Sequence, residues 1–206
     1  MTTRDRILDT ARDLFNQKGV DNVSARTICS GLDISLGNFS YHFPDKSRII
    51  LELYQKMTEE SQLALSEVSG KDGTISSYLE AHKNLFIIQN KYKFFFLNLF
   101  EILTSNAEIK ELYQTSSKIE VKMAKELLSH YVSKGILKKG VREEQFDRMV
   151  NVGRILNATW LVDAELLFKG NEKKKLKHYM IICCGLLEPY LTESSLAEYT
   201  AFFNQL

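Results

Sequence analysis

Only two prolines occur in 206 residues, and sustained alternation of apolar and polar positions is rare, so the chain is predicted to be all-α. Helical spacing appears at once. Ile7, Leu8, Ala11, Leu14 and Phe15 share one face of a first helix, with Thr2 or Thr3 placed to cap its start and Gly19 to stop it. Ser24 is placed to cap a second, short helix that turns Ile28 and Leu32 inward. Asp33 follows, a residue that tolerates the left-handed backbone a tight inter-helix turn demands, and Ser35 is the next cap. Pro44 ends the third helix, and Asp45 caps a fourth over about 46–69. Short helices joined by a tight turn between the second and third make a helix-turn-helix.

The segment "DISLGNFSYHFPDK", residues 33–46, carries the most unusual chemistry in the chain. At about 100° per residue, Phe39 and Phe43 fall on one face of the third helix, with Ile34 just before it, ready to pack on the first two helices. Gly37 and Tyr41 fall opposite, flanked by Asn38 and Ser40. A helix face that merely meets solvent more often carries Lys and Glu. A face of Gly, Asn, Ser and Tyr lets another molecule approach the backbone and offers it hydrogen bonds. In a major groove, Asn and Ser meet base edges, Gly37 permits close approach and Tyr41 reaches a phosphate.

With those residues in view, the stretch "ILDTARDLFNQKGVDNVSARTICSGLDISLGNFSYHFPDKSRIILELY" resembles the DNA-binding domain of TetR-family transcriptional regulators, over about residues 4–54. The resemblance implies phosphate contacts from Ser24, Tyr41, His42 and Lys46, and base or groove-floor contacts from Arg26, Leu36, Gly37, Asn38 and Ser40. It implies double-stranded operator DNA as a partner, a homodimer, and a repressor answering to a small-molecule effector. Asp33 stands where the family usually carries Gly, and Ser40 where an aromatic is common. The charge is local rather than global: the chain carries +1, and residues 1–50 hold seven basic and six acidic side chains. Arg26, Lys46 and Arg48 flank the third helix, while Asp5, Asp9 and Asp13 lie on the first. One such copy neutralises few phosphates, so two-fold symmetry would supply the second copy the affinity needs.

Beyond residue 46 the chain reads as amphipathic helices over about 46–69, 74–90, 92–104, 106–134, 143–168 and 172–191, with a short one over 193–204. The linkers "SGKDGT", "KGILKKGV" and "FKGNE" carry the glycines that stop them. "KFFFLNLFEIL" is apolar nearly all round, which predicts burial on every side. It is expected to border an internal pocket through Phe96, Phe100 and Leu103, with Asn157 and Trp160 opposite. That mostly apolar set with one amide suits a small hydrophobic or aromatic effector. The helix over 143–168 is apolar on two faces: Val150, Gly153, Asn157, Trp160 and Ala164 mark one, and Val152, Ile155, Thr159, Val162 and Leu166 the other. Two apolar faces need two partners. A four-helix dimer seam built with the helix over 172–191 supplies the second, with Gly153, Cys184 and Gly185 expected at the close approach.

Enzymatic readings find little support. There is no G-x-S-x-G elbow, phosphate-binding glycine loop or H-E-x-x-H, and His82, His130 and His178 are isolated on separate helices. Cys29, Cys183 and Cys184 make no metal-ligand spacing and read as buried, reduced thiols, so no metal and no cofactor is expected. No signal peptide and no apolar run of about 18 residues is present, which points to a cytoplasmic chain without a membrane partner. The organisation expected is a helix-turn-helix DNA-binding domain over 1–45 and a helical ligand-binding and dimerisation domain over 46–206. The alternative is a helical small-molecule-binding protein or enzyme whose N-terminal bundle mediates protein contacts.

Overall fold

The computed structural model describes residues 1–69 and 73–206, the side chains of 67–69 excepted. The stop expected at Gly70 in "SGKDGT" lies outside the described residues. Helix α1 spans Thr3–Lys18, α2 Ala25–Leu32, α3 Leu36–His42, α4 Lys46–Ser69 and α5 Ile75–Lys91. Then come α6 (Lys93–Leu97), α7 (Leu99–Ser105), α8 (Ala107–Ser133), α9 (Glu143–Leu167), α10 (Glu172–Cys184), a 3₁₀ turn (Gly185–Tyr190) and α11 (Glu193–Gln205). The fold is all-α, with no strand among the described residues.

Two compact units emerge: Met1–Glu60 with Gln89–Tyr113, and Ser61–Ile88 with Gln114–Leu206. In the first, each of the leading helices starts on a side-chain cap. Thr2 Oγ1 accepts from the Asp5 N–H at 3.2 Å, and Asp5 Oδ2 accepts from the Thr2 hydroxyl at 2.8 Å and from the Thr2 N–H at 3.1 Å. Those Thr2 bonds, with a smaller contribution from Lys56, pull the Asp5 carboxyl down to about 2. Ser24 and Ser35 cap α2 and α3, and Asp45 Oδ1 accepts from the Arg48 N–H at 2.9 Å to start α4. Each such cap contributes about 1 kcal/mol. Ile7, Leu8, Ala11 and Phe15 of α1 are buried, as are Ile28, Phe39, Phe43, Ile49 and Leu53 from the helices that follow. Phe15 meets Phe94 (ring centroids 5.3 Å apart) and Tyr54 stacks on Phe95 at 4.9 Å, which brings α6 into the same core.

The segment expected as one buried helix over 92–104 is two. Asn98 leaves the helical region (φ −118°, ψ 22°), and its Nδ2 donates to the Phe94 carbonyl at 2.7 Å. The break resets the helical phase, so Leu99 onward does not continue the face of α6. Phe94, Phe95 and Ile102 are buried, but Leu97 is exposed and Phe100 is 81% exposed. Hydropathy summed over the stretch carries no sign of that reset.

The second unit is centred on aromatic rings. Trp160 of α9 is buried, stacked on Phe86 of α5 at 4.6 Å and 5.5 Å from Tyr179 of α10. Tyr179 donates its hydroxyl to Asp163 at 2.6 Å; burial, reinforced by that carboxylate, pushes the phenol up to about 12. Where one helix over 172–191 was expected, α10 ends at Cys184 and the 3₁₀ turn takes over. Pro189 explains the change, since it has no N–H for the carbonyl four residues back. A single antiparallel bridge, Leu137 with Leu191, ties this turn to the α8–α9 connection through Lys138 N to Tyr190 O (2.8 Å) and Thr192 N to Ile136 O (3.0 Å).

Candidate nucleic-acid interface

The α2–α3 turn is set by one residue. Asp33 adopts φ 54° and ψ 47°, and is the non-glycine residue with positive φ among those described. Its N–H and that of Ile34 both turn back to the Cys29 carbonyl, the latter at 3.2 Å. Asp reaches this conformation at lower cost than most residues, because its short polar side chain can bond locally. The Ser35 Oγ then accepts from the Asn38 N–H at 3.1 Å and fixes the first turn of α3.

From that start the helix divides cleanly. Phe39 and Phe43 are buried, and Leu36, Gly37, Asn38, Ser40 and Tyr41 are exposed, Tyr41 to 86%. A methyl group at Gly37 would meet nothing nearer than Ser35 Oγ at 3.8 Å, so the helix surface there is open down to its backbone. Tyr41 stands edge-on to the His42 ring at 5.1 Å. The face offers amide, hydroxyl and phenol groups with no carboxylate between Ser35 and Phe43.

The flanking residues are less uniform. Ser24 and Arg26 are exposed, although the Ser24 hydroxyl is engaged: it accepts from the Thr27 N–H at 3.2 Å and lies 2.9 Å from Thr27 Oγ1. His42 is half-buried, and its backbone carbonyl accepts from Arg4. Lys46 is half-buried, and its Nζ donates to the Val20 carbonyl at 2.9 Å. Arg4 and Glu52 meet at the end of α3, and nothing in their sequence spacing announced it.

Comparison with known proteins places the chain in a family. The profile described as bacterial regulatory proteins of the tetR family matches residues 7–53, and the TetR profile described as a bacterial transcriptional repressor matches residues 52–199. The chain belongs to the TetR family. It is 32% identical over 73 residues to a probable HTH-type transcriptional regulator, YttP, of Bacillus subtilis (strain 168), covering 34% of this chain and 35% of that one. It is 38% identical over 53 residues to the HTH-type transcriptional regulator SAB2452 of Staphylococcus aureus (strain bovine RF122 / ET3-1), covering 26% and 29%. The chain thus spans about a third of the length of these curated relatives. Among solved structures, a TetR-family regulator from Marinobacter aquaeolei VT8 superposes with a TM-score of 0.88 at 24% identity, over 100% of this chain and 98% of that one. The ketosteroid transcriptional regulator KstR2 of Mycobacterium tuberculosis superposes at 0.68 and 16% identity, over 93% and 96%. A gamma-butyrolactone receptor described as ArpA-like does so at 0.73 and 14%, over 98% and 95%. TetR-family proteins are regulators rather than enzymes.

Residues expected at an effector pocket fall in both units. Phe96, half-buried and edge-on to Phe95 at 5.8 Å, belongs to the first with Phe100 and half-buried Leu103. Asn157, half-buried, and Trp160 belong to the second. Phe100, with its ring in solvent, departs from the buried placement expected. The second unit also holds an open cleft of about 440 Å³ between the start of α5 and α11, lined in part by Ser76, Glu80, Glu198 and Phe202, which sequence reasoning did not single out.

Of the residues expected at the seam, Cys184 departs from an outward placement. Cys184 is 0% exposed inside its own protomer, where burial raises its thiol pKa. A methyl group on Gly153 would face Leu186 and one on Gly185 would face the Tyr199 hydroxyl, each at 3.8 Å and within the same chain. Gly153 and Gly185 themselves are half-buried. The outward apolar face is the other one foreseen on α9: Val152, Ile155, Val162 and Leu166 are exposed, together with Ile181 and Ile182 of α10. Among the described residues no group of acidic, His and Cys side chains is placed to hold a metal, and no helix is long and apolar enough to cross a membrane.

Proposed function

We propose that this chain is a homodimeric, ligand-responsive transcriptional repressor that reads double-stranded operator DNA with α3. The observation that carries the reading is the exposed, uncharged face of Gly37, Asn38, Ser40 and Tyr41 on a helix whose opposite side is locked into the core by Phe39 and Phe43. Asn38 and Ser40 are assigned to base edges, with Leu36, Gly37 and Arg26 at the groove floor. Ser24, Tyr41, His42 and Lys46 are assigned to phosphates, which position a protein on the duplex without reading it.

Dimerisation follows from two features. A nearly neutral DNA-binding unit gains affinity from a second copy, and the apolar outward faces of α9 and α10 need a cover. The recognition helices must then stand roughly 34–36 Å apart, or a larger helical-turn multiple, to enter successive grooves. Helix α4 runs on from the DNA-binding helices and is the natural lever for changing that spacing. An effector releases DNA only by preferring a state whose spacing is wrong. Asn157 and Trp160 are assigned to its site, one amide beside an aromatic wall, which suits a small hydrophobic molecule. Two proteins of the same fold are named for small organic molecules, a gamma-butyrolactone receptor and a ketosteroid regulator.

The deciding experiment is selection of a duplex from a randomised pool by the full-length protein, followed by footprinting. A palindromic site protected on one side of the helix is expected. Recovery of no preferred sequence would count against the reading. Calorimetry of a compound found by thermal-shift screening, with and without that duplex, then tests repression: equal ligand affinity in both removes the coupling.

A further inference from the structure

At seven residues, α3 is far too short to be stable alone. The last carbonyls of a helix have no partner further along it, and no glycine follows to fold the chain back over them. Phe43 instead leaves in an extended conformation (φ −137°, ψ 117°). A side chain from the first turn of α1 occupies this end. Arg4 Nη1 donates to the His42 carbonyl oxygen at 2.9 Å, and the guanidinium carbon lies 4.5 Å from the centroid of the Phe43 ring. Arg4 Nη2 pairs with Glu52 Oε1 of α4, and the same oxygen accepts from Arg48 Nε at 3.1 Å. Phe43 is fully buried and the Glu52 side chain is 13% exposed, so packing fixes both of these partners.

Three kinds of attraction meet in one planar group. A cation is favoured at the negative end of a helix dipole. The guanidinium face attracts the ring, while separate edges bond a carbonyl and a carboxylate. A lysine ammonium has the charge but not the fork, and it cannot hold all three at once. We propose that Arg4 is a positioning residue for DNA reading. It fixes the angle at which α3 presents Asn38, Ser40 and Tyr41, and its guanidinium is engaged by Glu52 and the His42 carbonyl rather than by phosphate. The inference rests on α3 being the groove-reading helix.

The test uses the full-length protein and the duplex that the wild type selects from a randomised pool, beside a scrambled duplex of equal composition. Binding is followed by fluorescence anisotropy across a salt series for wild type, Arg4→Ala and Arg4→Lys. Both variants are expected to lose about tenfold on the selected duplex, the scale of a lost charge-assisted bond. Their affinity for the scrambled duplex and their salt slope should match wild type, because no phosphate contact has gone. Rescue by lysine, with a slope shallower by about 0.9 in Arg4→Ala, would make Arg4 an ordinary phosphate ligand and overturn the proposal. So would wild-type discrimination in both variants with only a lower melting temperature, which is a purely structural role. Circular dichroism sets aside any variant that has lost its helices, and Arg4→Gln then decides beside Arg4→Lys by the same criteria. A wild type that selects no duplex removes the groove-reading assignment, and this inference with it, before any variant is made.

Discussion

The side-chain amide of Asn16 brackets the α5–α6 corner: its Oδ1 accepts from the Phe94 N–H at 2.9 Å while its Nδ2 donates to the Lys91 carbonyl at 2.9 Å. Tyr92, between those two residues, donates its hydroxyl to Glu60 at 2.8 Å. The corner is thereby joined to α4 by a side-chain bond and to α1 by two backbone-directed bonds that only a side chain with both a donor and an acceptor can make. Asn16→Ala should lose both bonds and about 2 kcal/mol of stability; Asn16→Asp keeps the acceptor and should lose roughly half as much. Urea denaturation of the two variants measures this. Two curves lying on the wild type would show that the bracket contributes nothing.

Asn38 and Lys46 should separate sequence reading from sequence-blind attraction. Asn38→Ala is expected to relax preference at one base pair of each half-site, at about 1–3 kcal/mol if its amide is bidentate there. Lys46→Ala should weaken all duplexes nearly equally and flatten the salt slope by about one. Because Lys46 also satisfies the Val20 carbonyl, its replacement should lower the melting temperature as well. Uniform losses on every sequence for both variants would contradict the assignment.

Much of the local geometry around α3 is legible in the sequence because its determinants are local. Caps at Thr2, Ser24, Ser35 and Asp45, the left-handed Asp33 and the inward Phe39 and Phe43 each depend on residues within four positions, where helical geometry fixes what is near. Arg4 with His42 and Asn16 with Phe94 are 38 and 78 residues apart, and no spacing rule reaches them. The break at Asn98 is illegible in the sequence for another reason. Hydropathy treats Leu99 and Phe100 as a continuation of "KFFFL", although one residue outside the helical region turns their faces elsewhere. On α9 the two apolar faces are legible in the sequence, while the burial of Cys184 inside its own protomer is not, because composition cannot tell contact within a chain from contact between copies.

The exposed apolar residues of α9 supply the variants that probe assembly. Ile155→Glu and Leu166→Glu place carboxylates on the outward face of α9, where the wild-type residues are 52% and 76% exposed. They should keep the protomer folded yet shift a dimer to monomer in sedimentation, since a buried unpaired charge costs several kcal/mol. Gly185→Ala should leave the dimer intact, because its methyl group would sit at ordinary contact distance from Tyr199 inside the protomer. A Glu variant that still sediments as a dimer would move the seam off α9.

The Tyr199 hydroxyl is buried with no hydrogen-bond partner among the described residues, and burial raises its pKa. Removing such a group relieves a desolvation cost without breaking a bond. Tyr199→Phe is therefore expected to match or exceed wild-type stability by up to about 1 kcal/mol, against the usual loss for removing a bonded hydroxyl. A lower melting temperature would reveal a water or side chain bonded there in solution.

His82 gives the stability of the second unit a pH dependence with a definite sign. Its ring lies 4.0 Å from that of Tyr78, and Nδ1 is 3.0 Å from the Tyr78 carbonyl, which selects the neutral tautomer with its proton on Nδ1. Burial dominates and lowers its pKa below the ordinary 6.5, while the Tyr78 bond opposes that shift in part. The unfolded chain then takes up a proton at a higher pH than the folded one. Stability from the neutral ring is complete above the unfolded value and is lost as pH falls through it toward the lowered folded value. The slope cannot exceed about 1.4 kcal/mol per pH unit for a single proton. Melting curves between about pH 7.5 and pH 5.5 isolate the effect, since exposed carboxylates titrate mostly below that window. Wild type should lose melting temperature across it, and His82→Gln, which has no ring to protonate, should lose less. Parallel decline in the two proteins would place the sensitivity elsewhere and show that His82 accepts its proton as readily folded as unfolded.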